Sequence, residues 1–382
     1  MKPKTLTRLL QDLIAIPSVN PHGDAGVPAH QTGENVIADY VLERFREIGL
    51  SPRKQTVYPG RPNALGFTAS SKGKKPVLLL CPHIDTVSVL GMTINPFDPK
   101  IKNGRVYGRG ACDDKGPLSA MLWALGQVLK NRPKELRYDV VFAAVMGEEA
   151  GNDGIRHLMK SGQRADFVIA GEPTDLNPVH THKGAMWMKL TARGVAVHSS
   201  QPHKGENAIY KLARAITYLE TEQFPRLQKI KNRVLGSPTL SVGTMQGGSK
   251  VNIVPDFATC EVDFRLVPEQ KAQKVLTEIR AGFKKHKIDV EVSSSRNCQA
   301  LYTDPANPHI RKLATLSKQM AGRGKVLGAP WFCDASIASE YRLPAIAWGP
   351  GSIAQAHTKD EFIEISELEK GAAIFEEFLT QG

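Results

Sequence analysis

The feature that most constrains this chain is a repeated junction, in which short apolar runs stop at acidic or imidazole side chains. VLLLC leads into His83 and Asp85, VVFAAVM into Glu148 and Glu149, and FVIA into Glu172. Runs rich in Val, Leu and Ala without strict alternation suit strands buried on both faces, and such strands belong to helix-covered sheets. An open α/β sheet presents its ligands beyond its strand ends, so chemistry is expected at these polar tips. Strands near Lys75 to Cys81, Tyr138 to Met146 and Asp166 to Ala170 are predicted. Helices near Lys4 to Ile16, Glu34 to Glu47 and Pro117 to Leu129 supply the covering layers.

Beyond Pro178 the texture changes. GAMWMKLTARGVAV, LSVGTMQGG and ATCEVDFRLV alternate as half-exposed antiparallel strands do, with helices around Asn207 to Tyr218 and Glu269 to Lys284. After about Ser295 a helix near His309 to Met320, short strands at Lys325 to Leu327 and Ala345 to Trp348, and a last helix near Ile365 to Leu379 restore the first pattern. The chain therefore reads as an α/β domain in two parts, 1–177 and 296–382, interrupted by an α+β lobe at 178–295.

A chain of 382 residues with 41% apolar content can build such cores without disulfides. Its five cysteines are odd in number, widely separated and never in a CxxC arrangement, which fits a reducing, cytoplasmic setting and removes cysteine-rich zinc sites. The opening MKPKTLTRLLQDLIAI reads as an amphipathic helix rather than a secretion signal, and the longest apolar runs are strand-length, so no membrane span is expected. The formal charge of +12 comes from short, scattered basic stretches without interleaved aromatics, which argues against a nucleic-acid partner.

Each junction has a plain reading beside the chemical one. His83 and Asp85 form a histidine ligand with an acidic neighbour, or a turn after a strand. In GRGACDDKGP, Asp113 or Asp114 carries chemistry or caps the following helix. Glu148 and Glu149 divide proton transfer and metal binding between them, or form a solvated loop; two charges at the end of a buried strand are costly unless paired. Together His83, Asp113, Glu149, Glu172 and His357 offer two imidazoles and three carboxylates, enough for two divalent metal ions if one carboxylate bridges. Oxygen and nitrogen donors suit zinc first, with cobalt or manganese as alternatives.

The blocks CPHIDTV, GRGACDDKGP, GEEAG, GEPTD, HKG, HSSQPHKGENA and GPGSIAQAHTKDE, in that order, resemble the acetylornithine deacetylase and succinyl-diaminopimelate desuccinylase group of the M20 metallopeptidases. The resemblance implies a mixed-sheet metallohydrolase domain with an inserted lid and dimerisation lobe. It implies that His83 and Glu172 hold one metal, Glu149 and His357 the other, and that Asp113 bridges. Glu148 becomes the general base, Asp85 the acidic neighbour of His83, and His198 a contact to the developing oxyanion supplied across a homodimer. By the same resemblance Asn252 approaches substrate, while Arg265 meets a substrate carboxylate or forms a cross-strand ion pair.

The expected reaction is hydrolysis of the amide of a small N-acyl amino acid, N-acetylornithine first. A dipeptidase, carboxypeptidase or desuccinylase of the same family and, more distantly, a non-catalytic metal-bearing binding protein are the alternatives. Against the desuccinylase, WFCDAS at Trp331 to Ser336 has Ser336 where that branch carries an arginine for the succinyl carboxylate.

Overall fold

The computed structural model describes residues 4–23 and 26–381; Met1, Lys2 and Pro3, at the start of the expected opening helix segment, lie outside them. The chain forms two compact units, one of Met1–His180, Thr303–Leu327 and Cys333–Gly382, the other of Thr181–Tyr302 and Gly328–Phe332. The division differs from 178–295. Ser295 falls inside the strand Glu291–Cys298, whose register against Gly184–Arg193 runs on to Cys298 opposite Ala185. The string SSSRN is polar throughout, yet its backbone is held in the sheet. The short excursion Gly328–Phe332 has no counterpart in the sequence reading.

In the first unit, four parallel strands lie in the order Asp139–Ala144, Val77–Cys81, Phe167–Ala170 and Ala345–Ala347. Antiparallel strands flank them: the hairpin Ser51–Tyr58 and Arg61–Phe67 on one side and, on the other, the strand Val179–His182, of which Val179 and His180 belong to this unit. The hairpin escapes sequence reading because its outer strand, SPRKQTVY, is a polar edge without an apolar face. Leu78, Leu80, Phe142 and Ile169 from the parallel strands, and Trp348 directly after the fourth, join Phe45, Leu125 and Phe375 from the helices around them in one core. Helix Lys115–Asn131 is buried on several sides because Leu118 and Leu122 serve this core while Ala120 serves a second cluster with Leu10, Ile14 and Ile363. Since the four central strands are parallel, the residues after Cys81, Ala144 and Ala170 emerge at one sheet edge.

The second unit is a four-stranded antiparallel sheet in the order Thr239–Gly247, Phe257–Leu266, Gly184–Arg193 and Glu291–Cys298. Ala258, Cys260, Val262, Phe264 and Leu266 alternate inward with Met186, Met188 and Leu190. They pack on helices Ala208–Tyr218 and Ala272–Lys285 through Leu212, Ala215, Leu276 and Ile279.

Candidate metal centre

Three strand ends and two loops build the site. His83 follows strand Val77–Cys81 and is tied to the neighbouring strand by a bridge to Val145. Its Nε2 lies 2.9 Å from Asp113 Oδ1, and its Nδ1 lies 3.0 Å from the Asp85 carbonyl oxygen but 3.5 Å from the Asp85 carboxylate. The carboxylate of Asp85 mainly does something else. It accepts from the backbone N–H groups of Glu148 and Glu149 at 3.0 and 3.1 Å and from Asn20 Nδ2 at 2.7 Å, clamping the acidic loop after strand Asp139–Ala144.

Asp113 sits between two imidazoles, with Oδ2 3.4 Å from His357 Nε2, and His357 in turn lies 3.3 Å from Glu149 Oε2. Ligand atoms of His83, Asp113 and Glu149 all fall within 4.8 Å of one another. Glu172 is buried at the end of the third strand. It is outside that trio, but its acid is pushed well above the usual range, chiefly by burial and then by the charges of Asp113 and Glu148. Asp114 is the N-cap of helix Lys115–Asn131 without capping it; its Oδ2 accepts from the backbone N–H of His83.

The electrostatics call for cations. Burial opposes ionisation of Asp113, yet hydrogen bonds from His357 and His83 hold it below the ordinary carboxylate range. Burial, followed by Asp113, raises Glu149. His357, held at a φ of 61°, is pushed up to about 10 by Asp113 and Glu149. Glu149 Oε1 and Asp114 Oδ1 are buried without a hydrogen bond. Carboxylates gathered in a low-dielectric interior are relieved by bound cations, and the donor set of imidazole nitrogen and carboxylate oxygen fits zinc, cobalt or manganese. The thiols of Cys81, Cys112 and Cys333 are buried and pushed well above their usual range, as expected of packing cysteines.

Two residues that sequence reasoning passed over hold the Asp113 loop. Glu361 Oε1 accepts from the backbone N–H groups of Cys112 and Asp113, and Oε2 accepts from Gly110 N–H and Arg109 Nη1. Glu361 closes the HTKDE block, so its proximity to His357 was the available signal.

His198, Asn252 and Arg265 belong to the second unit. His198 is exposed, its Nδ1 2.8 Å from Ser200 Oγ, and its strand-like bridge to Ile253 brings it beside the Asn252 segment. Arg265 is engaged within its own strand: Nε donates to Asp263 Oδ2 at 2.8 Å. The expected cross-strand ion pair is thus an i, i+2 pair, because both side chains share one face of the strand.

Residues 79–381 match the family described as peptidase family M20/M25/M40. Acetylornithine deacetylase of Proteus mirabilis is 29% identical over 97% of this chain and 94% of its own length. An M20 family metallo-carboxypeptidase from Sulfolobus solfataricus superposes with a TM-score of 0.80 at 22% identity, covering 99% of both chains. A tripeptidase from Staphylococcus aureus gives 0.79 at 23% identity, covering 98% of this chain and 97% of its own. With a buried histidine and carboxylates gathered beside the ends of its parallel strands, the chain belongs to the M20/M25/M40 peptidase family and is a metallohydrolase of amide or peptide bonds.

Proposed function

We propose that the chain removes the acyl group from a small N-acyl amino acid, N-acetylornithine before others, with Glu148 as general base. The carrying observation is the division between two consecutive glutamates on one clamped loop. Glu149 Oε2 turns to His357 in the ligand cluster, while Glu148 Oε1 lies 3.3 Å from Asn152 Nδ2. His83 and Glu172 would hold one divalent ion, Glu149 and His357 the other, with Asp113 between them. When bound, the ions supply Lewis acidity that activates water and polarises the amide carbonyl. Glu148 takes a proton from the attacking water and returns it to the leaving amine. Asp85 fixes the loop that carries both glutamates. Arg265 and Asn252 would engage the substrate.

Ser336 is buried and its hydroxyl donates to the carbonyl of Cys333, which supports setting the desuccinylase aside. A homodimer, with His198 acting across it, is supported by the edge strand Thr239–Gly247. That strand carries no charged residue and leaves Met245 61% exposed, whereas the edge strand Ser51–Tyr58 carries Pro52, Arg53 and Lys54. Sedimentation velocity should give a dimer that Met245→Lys weakens; a monomeric parent protein overturns this part.

The decisive experiment measures acetate release from N-acetylornithine before chelation, after chelation and after zinc or cobalt is restored, alongside succinyl-diaminopimelate and a dipeptide panel. Loss and recovery of deacetylation, with the dipeptides slower, is expected. Activity indifferent to chelation, or faster peptide cleavage, defeats the assignment.

A further inference from the structure

Two helix starts in the first unit meet through side chains that leave their usual task undone. Asn152 is the N-cap of helix Asp153–Lys160 and Asp334 the N-cap of helix Ala335–Glu340, yet neither side chain caps its own helix. An N-cap Asn or Asp ordinarily accepts from the N–H groups of the first helical turn. Here Asn152 Nδ2 donates to Asp334 Oδ1 at 2.9 Å and approaches both Glu148 Oε1 and the Glu148 carbonyl oxygen at 3.3 Å. Asn152 is fully buried and Asp334 nearly so.

An Asn amide presents two donors on one side and an acceptor on the other. Turned over, it would set its oxygen against two carboxyl groups. The acceptor at Asp334 therefore selects the orientation in which the amide nitrogen faces Glu148. Asp334 Oδ2 is buried without a hydrogen bond, and burial pushes this acid up to about 6 despite the Asn152 bond. A proton on Oδ2 leaves Oδ1 accepting, so the amide keeps its orientation in either protonation state. Asn152 also sits at a φ of 59°, a left-handed conformation that Asn tolerates better than most residues and that aims its side chain back over the Glu148 loop.

We propose that Asn152 and Asp334 form a positioning pair for Glu148, in which Asp334 fixes the Asn152 amide and the amide holds the Glu148 carboxylate for proton transfer. The proposal rests on Glu148 being the base. The test uses full-length, zinc-loaded protein and the best substrate of the panel, with Glu148→Ala, Asn152→Gly, Asp334→Ala, Asp334→Asn and the double variant Asn152→Gly/Asp334→Ala. Gly keeps the left-handed backbone.

Asn152→Gly and Asp334→Ala should each lower kcat by about 10- to 100-fold, part of the roughly 10²- to 10⁴-fold a general base contributes. KM and bound zinc per chain should stay within about two-fold. The double variant should be no worse than the poorer single, since residues acting as a unit are not additive. Asp334→Asn, which retains an acceptor, should recover most of the Asp334→Ala loss. If Asp334→Ala does not fold, Asn152→Gly and Asp334→Asn decide. A kcat near that of the parent in Asn152→Gly, zinc lost in step with kcat, or single losses that multiply in the double variant overturns the pair. Turnover surviving Glu148→Ala instead defeats the reading on which it rests.

Discussion

The two units solve the problem of an interior in opposite ways. The second buries an almost wholly apolar layer of Met186, Met188, Leu190, Val262 and Phe264, and His182 and Lys183 are the basic side chains it takes in among the described residues. The first buries Glu34, Arg61, His83, Asp85, Arg109, Asp113, Asp114, Lys115, Glu172 and Glu361. Some of these charges answer one another: Arg61 grips Glu34 through Nε at 2.8 Å and Nη2 at 2.6 Å, and Arg109 meets Glu361 at 2.7 Å. The carboxylates beyond the strand ends outnumber their partners. One unit is held by shape, the other also by charges that await cations.

The strongest way to break this contrast is Asp113→Asn. Loss of a residue that merely orients a metal ligand already costs about 10- to 100-fold, so loss of the carboxylate shared by His83 and His357 should cost more than about 10²-fold in turnover and deplete bound metal. Metal analysis beside the rate measurement checks both, and full metal content at full rate removes the charge-based account of the first unit. Phe264→Ala probes the other side. Removing this fully buried ring should destabilise the second unit by about 3–5 kcal/mol, seen as an early thermal transition, while bound metal holds.

Chelation should lower the first unit's transition and leave the second's in place, by about 3 kcal/mol if the ion is present at about a hundred times its dissociation constant. The metal-free protein should also respond to pH in a definite direction. The raised acids Glu149, Glu172 and Asp114, and the raised imidazoles His83 and His357, bind more protons folded than unfolded. Their stabilisation is complete below their unfolded values and is lost as pH rises through the folded ones. The lowered acids Asp85 and Asp113 oppose this only below their unfolded range, near pH 4. Burial pushes His182 down to about 4 and Lys115 down to about 7, which works the other way at the two ends of the neutral range, but the five raised groups outnumber them, so the metal-free melting temperature should fall between pH 5.5 and 8; a rise contradicts the burial of unpaired acids. The smallest effect is expected at the surface of the second unit, where Lys211 reaches Glu206 and Asp289 at 2.7 Å each. Lys211→Ala should change stability by about 0–1 kcal/mol and turnover not at all.

The parts of the site legible in the sequence are those placed by local pattern. His83, Glu148, Glu149 and Glu172 stand directly after apolar runs, and a buried parallel strand dictates where its next residues emerge. The residues that steady them are not local. Arg109 and Glu361 are 252 positions apart, and Asn152 and Asp334 are 182 apart, so no short-range pattern couples them. At Asn152 and Asp334 the local pattern even points elsewhere, because Asn and Asp before a helix read as caps. Asp85 was legible as a neighbour of His83, but its grip on the Glu148 and Glu149 amides needs the adjoining strand.

The Glu361 clamp has a consequence for the order of events during synthesis. At about 5–20 residues per second, Arg109 and the Asp113 loop leave the ribosome roughly 10–50 s before the carboxylate that fixes them. Until then the 252-residue loop between clamp and carboxylate is open, and the Asp113 loop has neither its backbone anchor nor His357. The second unit's strands are complete well before that point and contain their own partners, so it can fold while the first is still waiting. The Glu361 clamp and His357 thus complete a site whose other candidate ligands, His83, Asp113, Glu149 and Glu172, are already made, and a nascent chain stalled before His357 would display those acidic groups to whatever cations, or chaperones, reach it first.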